Sequence, residues 1–136
     1  MRTITSIILH CTATRPGQEY PPEQMRRDHQ RRGFRDIGYH YYVRRDGTCL
    51  PCRPLDQVGA HCQYHNRPSI GICYEGGLNE HGQPQDTRTP EQRQALLFLL
   101  RQLKKRFPRA LILGHHDLNP LKACPSFDAA QEYADL

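Results

Sequence analysis

The run His115-His116-Asp117-Leu118-Asn119-Pro120-Leu121-Lys122-Ala123-Cys124-Pro125-Ser126 gathers imidazoles, an amine and a thiol in one short stretch. A borderline-soft cation such as Zn²⁺ takes imidazole nitrogen and thiolate sulfur, and a catalytic zinc site leaves one position open beside its protein ligands. One histidine of the pair at 115 and 116, with Cys124, supplies two such ligands if the chain between them forms a loop. A third must come from elsewhere. His10 is the best candidate, because it ends the apolar run Ile7-Ile8-Leu9. The chemistry to expect of such a set is metal-assisted hydrolysis.

These residues need a scaffold, and the pattern of the chain describes one. Residues 3–10 are rich in apolar and β-branched side chains and predict a buried strand. Residues 12–20 read as a loop. Pro21-Pro22-Glu23 opens a helix that runs to about Arg32, with Gly33 as its stop. Residues 38–44 are aromatic and β-prone, and Arg45-Asp46-Gly47 turns them into a hairpin whose return strand begins at Thr48. After a loop over residues 51–68, residues 69–74 predict a strand ended by Gly76-Gly77. Thr89, Pro90 and Gln92 spell a capped helix start, and apolar residues at 96, 99, 100, 103 and 107 give that helix one face for a sheet. Residues 110–113 predict a last core strand, from whose end the histidine–cysteine loop departs, and Ser126 is expected to cap a short C-terminal helix holding Phe127 and Tyr133.

The alternation implies an α/β fold: residues 1–136 as a single domain, a central mixed β-sheet flanked by α-helices, and the metal site at the strand ends. His10 ends the first strand and His115 follows the last, so the two converge if those strands are neighbours.

Composition narrows the function. No apolar stretch approaches a membrane span. The N-terminal apolar run is too short for a signal peptide and lacks a small-residue cleavage site, so synthesis in the cytoplasm without Sec export is expected. The net charge of +5 favours polyanionic partners such as nucleic acid or the acidic stem peptides of a cell wall. The two basic clusters, Arg26-Arg27 with Arg31-Arg32-Arg35 and Lys104-Lys105-Arg106 with Arg109, read first as solvated helical faces, and no nucleic-acid-binding motif accompanies them. The six cysteines, at 11, 49, 52, 62, 73 and 124, are expected to be reduced thiols. Cys49-Leu50-Pro51-Cys52 could be a redox pair or half a metal site, but it does not open a helix and has no matching second half.

Six segments, in order, resemble the zinc-dependent N-acetylmuramoyl-L-alanine amidases, the superfamily that includes amidase-type phage lysozymes and peptidoglycan recognition proteins. They are Leu9-His10-Cys11-Thr12-Ala13-Thr14, Asp36-Ile37-Gly38-Tyr39-His40-Tyr41, Arg45-Asp46-Gly47-Thr48, Gly59-Ala60-His61, Ser69-Ile70-Gly71-Ile72 and Lys122-Ala123-Cys124-Pro125-Ser126-Phe127-Asp128. The resemblance is greatest to the phage-lysozyme branch and spans residues 4–129. It implies Zn²⁺ held by His10, His115 and Cys124, choosing His115 over His116, with Tyr39 and Lys122 as catalytic residues and His61 and Asn66 as substrate contacts. The implied reaction is hydrolysis of the amide between N-acetylmuramic acid and L-alanine in peptidoglycan. The implied setting is a monomeric wall-lytic enzyme of a phage or mobile element that acts after release from the cell, with neither membrane nor nucleic acid as partner.

The residue types suit that chemistry. A three-ligand zinc brings the pKa of its water to about 7 and polarises a carbonyl. A lysine beside it can stabilise an oxyanion, and a phenol can donate or accept a hydrogen bond. The competing reading is a non-catalytic peptidoglycan-binding module. Such modules tend to lose a metal ligand, whereas this chain carries the full set. Between His61 and Ser69 it reads Cys62-Gln63-Tyr64-His65-Asn66-Arg67-Pro68 instead of the family's common Gly-Tyr-Asn run, which alters one groove wall.

Overall fold

The computed structural model describes residues 2–136. Five strands form one sheet: β1 (Ser6–Cys11), β2 (Tyr41–Val43), β3 (Cys49–Pro51), β4 (Ser69–Tyr74) and β5 (Leu111–Gly114), in the order β3-β2-β4-β1-β5. The pairs β1–β4, β1–β5 and β2–β4 are parallel, and only the β2–β3 hairpin is antiparallel. The helices are α1 (Pro22–Arg31), α2 (Pro90–Arg106), α3 (His115–Leu118) and α4 (Ala129–Glu132). This is the mixed sheet with flanking helices that the alternation implies. Among the described residues no helix is long and apolar enough to cross a membrane.

Alternation along the strands sorts side chains onto two faces. Ile7, Leu9 and Cys11 of β1, with Ile70, Ile72 and Tyr74 of β4 and Val43 of β2, join Leu96, Leu99, Leu100 and Leu103 of α2 in the larger core cluster. Each fully buried aliphatic side chain there stabilises the fold by roughly 1.5–3 kcal/mol. The opposite face carries Tyr42 and Cys73, packed with Met25 of α1 and with Ile37. His10 falls on this second face because it is one residue out of phase with Leu9 and Cys11.

The helix signals act where the residues predict. Thr89 Oγ1 accepts from the Gln92 N–H at 3.1 Å, and the Gln92 side chain accepts from the Thr89 N–H at 2.9 Å. At the other end of α2, Lys104 Nζ donates to the carbonyls of Pro108 and Ala110, so one member of the second basic cluster is a cap. In the first cluster Arg26 pairs with Asp36 at 2.8 Å and Arg31 with Asp28 at 3.7 Å, as solvated helical side chains do.

Several boundaries shift. The first strand reaches Cys11, so His10 sits inside the ladder rather than at its last rung. The hairpin strands are short, because Gly38 turns to other partners: its N–H donates to His29 Nδ1 and its carbonyl accepts from Ala60. The histidine–cysteine loop opens with a helical turn, α3, whose Asp117 carboxylate accepts from the Gly114 N–H at 2.8 Å. Asp128, not Ser126, caps the C-terminal helix, accepting from the Gln131 N–H. Ser126 sits at φ 68° and donates its hydroxyl to the Gly77 carbonyl, so it is engaged in anchoring the preceding loop.

Candidate active site

Strands β1 and β5 are parallel neighbours with Leu9 beside Gly114, so the next residue of each, His10 and His115, lies at the same end of that pairing. Their ring centroids are 4.7 Å apart. Cys124 returns to them because its segment is pinned at several points. Its carbonyl accepts from the His116 N–H at 2.8 Å, and the Tyr74 hydroxyl donates to the Pro125 carbonyl at 2.6 Å. Gly114 permits the approach: a Cβ there would lie 2.7 Å from Pro125 Cδ. Ligand atoms of His10, His115 and Cys124 consequently all lie within 4.8 Å of one another. His116 points elsewhere, with Nδ1 near the Ala123 carbonyl and Nε2 near Asp117.

The cluster is electrically prepared for a cation. Burial, reinforced by the neighbouring imidazoles of His61 and His115, holds the His10 pKa well below its ordinary 6.5. Burial and the Lys122 charge lower His115 as well. Both rings are therefore neutral at pH 7 and keep a nitrogen lone pair. The Cys11 N–H donates to Cys124 Sγ at 3.1 Å, a contact that favours the thiolate. The Cys11 and Cys124 thiols also share a hydrogen bond, which holds Cys11 down to about 7 and pushes Cys124 up, so the pair releases its first proton readily and resists losing the second. An external dication in contact with the sulfur removes that resistance.

The residues border a groove of about 810 Å³. Tyr39 lies on its wall with its ring 5.1 Å from that of His10. Burial, with the Cys73 sulfur beside it, pushes the Tyr39 phenol well above 10, so it keeps its proton and serves as a donor. Lys122 stands exposed at the rim near His115. His61 and Asn66 also border the groove, but each is engaged within the chain. His61 Nδ1 is 2.9 Å from His10 Nε2, and Asn66 Oδ1 accepts from the N–H groups of His61 and Cys62 at 2.9 Å each. Burial lowers the His61 pKa to about 3.

Sequence reasoning missed two participants. Arg32, grouped above with a solvated basic face, borders the groove with its guanidinium 4.9 Å from the Phe34 ring centre. Together with Lys122 it makes the lining cationic, and among the described residues no carboxylate borders the groove. The second omission is the His10–His61 contact, whose trace in the sequence is the glycine inside β4, since a strand glycine marks close approach of another group. Cys49 and Cys52 are not a couple. They pack into clusters on opposite faces of the sheet, and all six thiols are free.

The mixed five-stranded sheet with flanking helices is the fold shared by the wall amidases and peptidoglycan recognition proteins that this chain resembles. The chain belongs to the N-acetylmuramoyl-L-alanine amidase family, whose model matches residues 1–127. It is 42% identical over 124 residues to an endolysin of Klebsiella phage KP32, covering 91% of this chain and 82% of the relative. Among solved structures it resembles the N-acetylmuramoyl-L-alanine amidase LysC from Clostridium intestinale URNW, with a TM-score of 0.82 and 30% identity over 96% of this chain and 82% of that one. Drosophila PGRP-LB shares the fold at a TM-score of 0.80 and 23% identity, over 99% of this chain and 82% of that one.

Proposed function

We propose that this chain, over residues 1–136, is a zinc-dependent catalytic domain that hydrolyses the amide between N-acetylmuramic acid and L-alanine in peptidoglycan. The observation that carries the reading is the convergence of His10, His115 and Cys124 in an open groove. The donor set fits zinc: two imidazoles and a sulfur, with no carboxylate among them, suit a borderline-soft ion and not Mg²⁺ or Ca²⁺. Zinc held there supplies Lewis acidity, activating water and polarising a carbonyl.

The chain's own residues supply the rest. Lys122 brings a positive charge to the rim, where it stabilises negative charge developing on the carbonyl oxygen. Tyr39 acts as a hydrogen-bond donor beside His10, because its phenol does not ionise in the working range. Asn66 and His61 shape the wall against the glycan and stem peptide, and the cationic lining suits the carboxylates of that peptide. The alternative, a non-catalytic binding module, is disfavoured by the complete donor set and by Lys122 at the same groove. Kinship to phage endolysins supports a lysis enzyme of a phage or mobile element that acts on the wall, and we take it to be a monomer made in the cytoplasm and acting after release.

Digestion of purified sacculi tests the reading. New L-alanine amino termini should appear, no new reducing ends should form, and a chelator should stop the release. Reducing ends in place of alanine termini would make the enzyme a glycosidase, and binding without cleavage would make it a recognition module.

A further inference from the structure

His61 is the one groove residue whose two ring nitrogens are both occupied within the protein in line with His10. Nδ1 faces His10 Nε2 at 2.9 Å, and Nε2 faces Ser69 Oγ at 3.3 Å. The Ser69 hydroxyl donates to the His65 carbonyl at 2.7 Å, so its oxygen has only lone pairs left for His61. The tautomers of neutral rings then follow in sequence. His61 carries its hydrogen on Nε2 and donates it to Ser69. Its Nδ1 is an acceptor, and His10 must place its own hydrogen on Nε2. The lone pair of His10 is thereby left on Nδ1.

The slot that holds the ring is built by glycines. A Cβ on Gly71 would lie 2.6 Å from His61 Cδ2 and Cγ, and one on Gly59 would lie 2.7 Å from Cδ2. Neither glycine has a positive φ, so space and not backbone freedom is what these positions require. Gly71 pairs with Ile8, two residues before His10 on the same face of β1, which sets the His61 ring against the sheet next to the His10 imidazole.

We propose that His61 is a positioning residue: seated over Gly71 and oriented by Ser69, it fixes the ring and tautomer of His10 so that Nδ1 is the nitrogen offered to the metal. The inference rests on His10 being a metal ligand. Partners of this kind, which hold the second nitrogen of a ligating histidine, change metal affinity by about 10–100-fold when removed.

The test measures zinc affinity, by competition with a chromophoric chelator, for the unaltered protein, His61→Phe and His61→Asn. Long-range ¹H–¹⁵N spectra of the unaltered protein as purified read the His10 tautomer directly. Zinc binding should weaken on the order of 10–100-fold in His61→Phe, which fills the slot without an acceptor. Asparagine, whose amide oxygen can still accept from His10 Nε2–H, should recover much of the loss, and the His10 hydrogen should reside on Nε2. Equal affinity in His61→Phe, or a His10 hydrogen on Nδ1, would overturn the relay. Failure of the underlying site looks different: His10→Ala would then bind zinc as tightly as the unaltered protein, whatever the spectra show for the tautomer.

Discussion

Two polar centres in this molecule reach opposite ends. One lies around Arg88, whose side chain is fully buried. Its guanidinium donates to Asp86 at 2.9 Å, to Glu132 at 2.6 and 2.7 Å and to the Tyr133 hydroxyl at 2.9 Å, and it stacks 3.4 Å over the Phe127 ring. Every donor meets an acceptor that the chain itself provides. The other centre, at His10, His115 and Cys124, gathers two imidazoles and a thiol whose ligand atoms all lie within 4.8 Å of one another. A closed set of charges ties the C-terminal helix to the loop before α2. An open set of lone pairs is a site for something from outside. Burial of polar groups alone does not separate the two, and the balance of donors and acceptors does.

The comparison breaks first at the ligands. Cys124→Ala and His115→Ala should each lose bound zinc and reduce sacculus hydrolysis to background while the fold persists, whereas His116→Ala should retain about one zinc per chain. Metal analysis beside circular dichroism checks this, and full zinc retention in Cys124→Ala would remove that residue from the set.

Arg88→Met should do the reverse. Removing one partner of a buried ion pair costs about 3–5 kcal/mol. The lower end is expected here, because Asp86 and Glu132 keep 26% and 38% of their side-chain exposure. Urea denaturation should record that loss with zinc content unchanged. Loss of zinc from a folded Arg88→Met protein would show that the two centres are coupled.

Lys122→Ala should sharpen the distinction between holding metal and using it. Zinc content and melting temperature should match the unaltered protein, and turnover should fall about a hundredfold, the usual effect of removing one oxyanion-stabilising donor. Hydrolysis at the parent rate would assign charge stabilisation elsewhere.

The smallest effect expected is in the pH dependence of stability, to which both centres should contribute, in different ranges. His10 and His61 have folded pKa values below their ordinary 6.5, with His61 near 3, so below 6.5 the unfolded chain binds protons that the folded chain refuses. Stability is then complete above 6.5 and falls as the pH drops. The carboxylates of the Arg88 centre act lower. Burial alone would raise Asp86, but its hydrogen bonds to Arg88 outweigh this and hold it below 3.8, and the Arg88 hydrogen bond holds Glu132 below 4.5. Their contribution is present above those values and lost beneath them. Between pH 6.5 and 5, melting curves should therefore soften through the histidines: His61→Phe should flatten the slope and Arg88→Met should leave it unchanged. The opposite pattern would reverse the assignment of the two centres.

Much of this was legible in the residues. The capping signal of Thr89 and Gln92, the apolar face of α2 and the buried runs of β1 and β4 depend on neighbours a few positions away, so local physics sufficed to read them. Ser126 misled because a serine before a short apolar stretch looks like a cap, and only the nearby Gly77 carbonyl shows where its hydroxyl goes. Arg32 looked like its solvated neighbours because nothing in helix periodicity reveals a groove wall.

By itself, the sequence determined the supply of chemistry: which nitrogens and sulfur are available, which strands are apolar enough to be buried, and where helices begin. The tertiary structure decided who meets whom. Parallel pairing of β1 with β5 brings His10 and His115 together across more than a hundred residues of chain, and the Gly114–Pro125 contact returns Cys124 to them. The space over Gly71 turns His61 toward His10. The reason is the range of the forces involved. Strand alternation and caps act within a turn or two, whereas sheet order, register and the fit of a ring over a glycine exist only once distant segments have packed.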